Sequence, residues 1–152
     1  MFTSVVVGTD GSAPAREAVR VAAEMARRDG AELHLVSAYR VFSDMLLVGG
    51  GVEATAAAGL EVEQRIRADV EVMLAGLAKE LAAEGVAVTT HLSPERPAPA
   101  ILDVAERYEA DLIVVGNRGA RDPKVLGSVP QKVIHLAPCS VLVVHTWPPR
   151  RP

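Results

Sequence analysis

Aromatic residues are scarce in this chain, which has two Phe, two Tyr and one Trp. A surface that stacks successive bases of single-stranded nucleic acid is hard to build from so few rings. No basic excess makes up for them. Sixteen Lys and Arg face nineteen Asp and Glu, a formal net charge of -3, so nucleic acid is not expected as a partner. A single cysteine, Cys139, excludes an internal disulfide. Its place before an apolar run reads as a small buried thiol rather than a reactive one. The four histidines, His34, His91, His135 and His145, fall singly rather than at zinc-ligand spacing. No apolar run reaches the roughly eighteen residues of a membrane span, and the N-terminus carries no signal-like pattern. The expectation is a cytoplasmic protein without membrane contact.

Small aliphatic side chains are abundant instead. Hydrophobic residues make up 49% of the sequence, so the core must be Val, Leu, Ile and Ala, as in a sheet covered by alanine-rich helices. The length of 152 residues suits one domain, expected over 1–147 with a disordered tail at 148–152. Val-rich runs of strand length recur at Ser4–Gly8, Leu33–Ala38, Val86–Leu92, Leu112–Gly116 and Ser140–Thr146. Longer helical patterns separate them. Strands alternating with helices predict an α/β fold, an open five-stranded parallel sheet with helices on both faces.

The spacing predicts a helix over about Ala13–Arg28, stopped by the glycine of "RRDGAE". A longer one is expected over about Glu61–Glu84, where Ile66, Val70, Met73, Leu77 and Leu81 form one apolar stripe. That stripe suits packing on a sheet, and a coiled-coil seam is the alternative. A third helix is expected over roughly Ala98–Tyr108, with Ile101, Leu102 and Ala105 inward. The aperiodic stretch "YRVFSDMLLVGGGVEATAAAG" reads as a mobile surface segment.

Two strand ends share a pattern. "VVVGTDGS" places Gly8 and Gly11 after the first strand, and "IVVGNRGA" places Gly116 and Gly119 after the fourth. Open parallel sheets bind ligands beyond the carboxyl ends of strands, where the strand order reverses. Downstream, "GSVPQ" reads as a helix start, with Ser128 as cap, Pro130 in the first turn and Gln131 completing a capping box. Two readings stand for this loop. It is a strand-to-helix connector, or its glycines and the helix N-terminus form an anion site. Asp10 is likewise open between an Asx turn and a contact to ribose or Mg2+. Val36 is core by default.

The opening "VVVGTDGSAPAREAV", the G-x2-G and G-S-V of the fourth loop and the closing "APCSVLVV" together resemble the universal stress protein family over Val5 to Val144. The resemblance implies sheet order 3-2-1-4-5 and a homodimer, for which the fifth strand, about Ser140–Thr146, would supply the edge. In one branch it implies ATP bound through G-x2-G-x9-G-[ST]. Carried over, Gly116 and Gly119 match the first two glycines, and Gly127 and Ser128 match the last pair. Thr9, Asp10, Val36, Ser37, Ala38, Asn117, Arg118 and Val129 complete the implied nucleotide contacts, with Mg2+ at Asp10. Only seven residues, Ala120 to Leu126, separate the second and third glycines where the family motif has nine. Arg118, Arg121 and Lys124 are candidates to hold phosphate in the shortened loop.

No Walker loop, G-x-G-x-x-G or H-x-G-H is present, and neither Ser12 nor Ser128 has an assignable histidine partner. The expectation is therefore a nucleotide-dependent regulatory protein with at most slow hydrolysis, acting on an unidentified protein partner. The alternatives are a dimeric interaction module that has lost ATP, or a binder of AMP or a cyclic nucleotide.

Overall fold

The computed structural model describes residues 1–39, 56–117 and 125–146. The elements in chain order are β1 (Ser4–Gly8), α1 (Ala13–Asp29), β2 (Glu32–Ala38), α2 (Ala56–Ala83), β3 (Ala87–Ser93), α3 (Pro97–Arg107), β4 (Leu112–Gly116), α4 (Ser128–Leu136) and β5 (Ser140–Val144). All strand pairs are parallel, in the order β3-β2-β1-β4-β5. The strands and helices read from the sequence are present, with ends moved by a few residues, most at α2, which starts earlier than expected. The aperiodic segment over 40–55, residues 118–124 and the tail lie outside the described residues.

Alternation along the strands divides the core. Val5, Val7, Leu33, Leu35, Leu112 and Val114 pack on one face with α1 and α2. Val6, Val36, Ile113 and Val115 pack on the other with α3 and α4. Val5, Val6 and Val7 have no exposed surface, so β1 is buried from both sides. Each such side chain contributes about 1.5–3 kcal/mol when removed from water. The α2 stripe lies on the sheet as expected, with Val70 and Leu81 buried and Ile66, Met73 and Leu77 packed against them. Leu74, which the stripe did not include, is buried too. On α3, Ile101 and Ala105 are buried while Leu102 is only partly covered.

Helix ends follow local chemistry. Gly30 ends α1 in the left-handed region at φ 70°, as "RRDGAE" predicts. At the other end Asp111 anchors β1 beside β4, accepting hydrogen bonds from the Thr3 and Ser4 backbone N–H groups at 2.8 and 3.2 Å.

Candidate functional site

Parallel pairing sets the carboxyl ends of β1 and β4 side by side, with Val5 opposite Leu112 and Val7 opposite Val114. From there the chain departs in opposite directions, into α1 on one face and toward α4 on the other. This is the switch point of the sheet, the place where open α/β folds receive ligands.

The β1 loop is tightly tied. Thr9 N–H donates to the Val36 carbonyl at 2.9 Å, which carries the strand pairing one residue past Gly8. Thr9 Oγ1 accepts from Gly11 N–H at 3.1 Å, and Asp10 Oδ1 accepts from Ser12 N–H at 3.0 Å. The Asx turn therefore forms at Asp10, whose residue as a whole stays exposed. Gly11 has φ 77°, a conformation that side-chain-bearing residues seldom adopt. Ser12 then caps α1, its Oγ accepting from Ala15 N–H at 3.3 Å. Sequence reasoning passed over this cap, although Ser12 shortly before Pro14 is a helix-start signal.

The β4 loop differs from its sequence reading in two respects. Gly116 does not present an open face: a Cβ there would stand 3.1 Å from Thr146 Cγ2 and 3.9 Å from Ala18 Cβ. Asn117 is engaged by the chain itself. Its Oδ1 accepts from Thr146 N–H at 2.8 Å and Thr146 Oγ1 at 2.9 Å, and its Nδ2 lies 3.1 Å from His145 Nδ1. The Thr146 N–H can only donate, so the amide orientation is fixed and Nδ2 donates to His145. These hydrogen bonds tie the start of the loop to the chain leaving β5.

The expected capping box at Ser128 does not form. Gly127 occupies the cap position without a side-chain bond, and Ser128 is the exposed first residue of α4. Gln131 turns outward from the box, its Nε2 donating to the Leu126 carbonyl at 2.7 Å. With glycine as the cap, the first-turn N–H groups of α4 lack the side-chain acceptor a serine cap would supply. Val129 is half-buried against the α3 and α4 core. Arg118, Gly119, Arg121 and Lys124 lie outside the described residues.

At the end of β2, Val36, Ser37 and Ala38 are all buried. Val36 belongs to the core, as its apolar character suggests. Ser37 Oγ is buried without a hydrogen-bond partner among the described residues. Such a hydroxyl costs free energy unless something satisfies it. Among the described residues there is also no cluster of three His, Cys, Asp or Glu able to cage a metal ion. Mg2+ at Asp10 would depend on phosphate oxygens and water for its remaining ligands, as is usual for this ion beside a nucleotide. Cys139 is half-buried, and burial pushes its thiol up, away from the thiolate form that reacts.

Residues 1–145 match the profile of the universal stress protein family. A universal stress protein of Thermus aquaticus, encoded in the QAH/OAS sulfhydrylase 3' region, is 39% identical over 146 residues, covering 95% of this chain and 99% of that one. A universal stress protein crystallised with cAMP superposes with a TM-score of 0.70 at 28% identity, covering 95% and 98% of the two chains. The Archaeoglobus fulgidus universal stress protein in complex with dAMP gives 0.61 at 26% identity, covering 93% and 96%. The matched span runs through β1, the switch-point loops and β5, and this chain belongs to the universal stress protein family.

Proposed function

We propose that this protein is a nucleotide-binding regulator that takes ATP with Mg2+ at the crest of β1 and β4. The observation that carries the reading is the switch point itself, where both glycine-bearing loops leave adjacent strand ends toward opposite faces. Three local features support it. Ser37 Oγ offers a buried hydroxyl at the end of β2 with no hydrogen-bond partner among the described residues. Gly127 caps α4 without a side-chain bond of its own, which suits the first-turn amides to phosphate oxygens. Asp10 stands exposed on the β1 loop, where a carboxylate beside the strand end suits a ribose hydroxyl or hydrated Mg2+.

Thr9, Val36, Ala38, Gly116, Asn117 and Val129 act in this reading as framework, with backbone groups at the strand ends reading the base. Ser128 supplies an exposed hydroxyl on the first turn of α4. No base is assigned to activate water, so the bound nucleotide orders the site rather than being turned over. The protein also self-associates in this reading through β5, which lies at the sheet edge, where an uncovered apolar strand invites pairing with its own copy.

A second reading, AMP or a cyclic nucleotide in place of ATP, is favoured by the cAMP and dAMP bound to the two structural neighbours. Mass spectrometry of ligand released from freshly purified protein, followed by calorimetry with ATP and Mg2+, AMP and cAMP, separates the readings. Copurified ATP with heat of ATP binding supports the first, and preference for a monophosphate supports the second. No nucleotide and no heat at about millimolar concentration, a binding free energy weaker than roughly -4 kcal/mol, leaves a dimeric interaction module.

A further inference from the structure

The four histidines look isolated in the sequence, but the fold brings two of them together. His34 on β2 and His91 on β3 are 57 positions apart in the chain, and His34 Nδ1 lies 3.0 Å from His91 Nε2. Tyr108, at the end of α3, closes the group, with its ring centre 4.5 Å from that of His34 and 4.9 Å from that of His91. His34 is 1% exposed, whereas His91 also lines a surface hollow of about 700 Å³ with Ser93, Asp103 and Arg107. Protons therefore have a route to the pair from that hollow.

A nitrogen–nitrogen bond of this length requires one donor and one acceptor, so at neutral pH one imidazole N–H points at the lone pair of the other. One added proton leaves that bond possible. Two would set N–H against N–H and bury two positive charges side by side. The charged groups around the pair give little help. Glu32 on β2 favours the cation but already accepts a hydrogen bond from Thr89 Oγ1 at 2.6 Å. Arg107 on α3 opposes it while paired with Asp103 at 2.8 Å. Neighbouring positions on β1 and β3, Val6 and Thr89 in register with His34, carry no charge.

We propose that His34, His91 and Tyr108 form a proton-sensitive clasp that holds the edge strand β3 and the end of α3 against β2, and that acid opens it. Burial pushes both imidazoles below their ordinary range, with His34 adding to the effect at His91. The sign follows from linkage. Folded-state values lie below those of the free imidazoles, so the stabilisation is complete above the ordinary imidazole range and fades as pH falls through it. The open state takes up two protons where the closed state takes none or one. Opening should then grow between about tenfold and about a hundredfold per pH unit below roughly pH 6.5.

The clasp shares no residue with the proposed nucleotide site, and its test uses nucleotide-free protein. Amide hydrogen exchange over Ala87–Ser93 is followed from about pH 7.5 to about pH 5.5 and corrected for intrinsic exchange, in wild type and in the His34→Asn, His91→Gln double variant. The two amides replace the bonding nitrogens without titrating. Opening of β3 that rises with acid in wild type and stays flat in the double variant is the expected result. A flat wild type, or a variant with the same acid response, overturns it. Nitrogen NMR of the wild-type imidazoles covers the case of a variant that does not fold. There, proton uptake by both rings together with loss of β3 protection supports the clasp, and independent titration in the ordinary range with β3 still protected refutes it.

Discussion

Replacing Asn117 with alanine distinguishes a structural latch from a nucleotide contact. The side chain is the only acceptor that the described residues show for Thr146 N–H and Thr146 Oγ1, at 2.8 and 2.9 Å, and Thr146 is 7% exposed. Each hydrogen bond removed is worth about 1 kcal/mol net, and a buried donor left without a partner raises the cost toward ~3 kcal/mol for the pair. A domain of this size loses about 2–4 °C in Tm per kcal/mol, so the variant should melt roughly 4–12 °C lower. Thr146 also packs where a Cβ on Gly116 would sit, and its release should loosen the start of the β4 loop. Differential scanning calorimetry without nucleotide measures the effect. Asn117→Asp keeps an acceptor for Thr146 while giving up the amide donor to His145, and should recover most of the stability. If the alanine variant melts within about 1 °C of wild type yet loses nucleotide affinity, Asn117 is a ligand contact and the latch is wrong.

Three more changes have definite expected outcomes. Ser37→Ala removes the buried unsatisfied hydroxyl, so nucleotide-free protein should gain up to about 1 kcal/mol in urea titration while nucleotide affinity falls; lower stability with unchanged affinity would mean that the hydroxyl is satisfied within the chain. Glu109 carries φ 47° two residues past the end of α3, a left-handed conformation that glycines take after α1 and α2, and Glu109→Gly should raise stability by about 1 kcal/mol where Glu109→Ala does not. Leu136 is 61% exposed on α4, the helix packed beside β5, whereas Val143 on β5 packs against the core. Leu136→Glu should therefore shift sedimentation toward monomer at about micromolar concentration without lowering Tm, and an unchanged profile would place any self-association elsewhere.

Much of the fold is legible in the sequence because its signals are local. Val-rich runs of strand length, separated by helical spacing, give five strands and their connections. The glycine of "RRDGAE" stops α1 at Gly30. Side-chain alternation in β1 and the stripe on α2 follow from periods of two and 3.6 residues, which depend only on backbone geometry. The site is less legible. "GSVPQ" fits a capping box within its own residues, yet the helix takes Gly127 as its cap and leaves Ser128 exposed. The signature states which residues are able to cap, and the path of the incoming chain selects among them. At Asp10 both halves of the motif are near in sequence, and the Asx turn forms as one of the two readings held.

By itself the sequence determined which segments become strands and helices, since propensity, periodicity and turn chemistry act over a few residues. It also carried the family, because the matching stretches occur in one order along the chain. Strand order was legible only through the family resemblance, which implied 3-2-1-4-5 as observed; no local pattern sets β4 beside β1, the adjacency that makes the switch point. Asn117 meets Thr146 across 29 positions, and Gly116 is small because Thr146 and Ala18 fill the space beside it. His34 reaches His91 across 57 positions only because β2 and β3 pair in the register that sets Val36 opposite His91. Such pairings depend on how separate segments pack and slide against one another. A one-residue slip in a strand would turn His34 to the other face, and no local pattern around either histidine records which register the assembled sheet adopts.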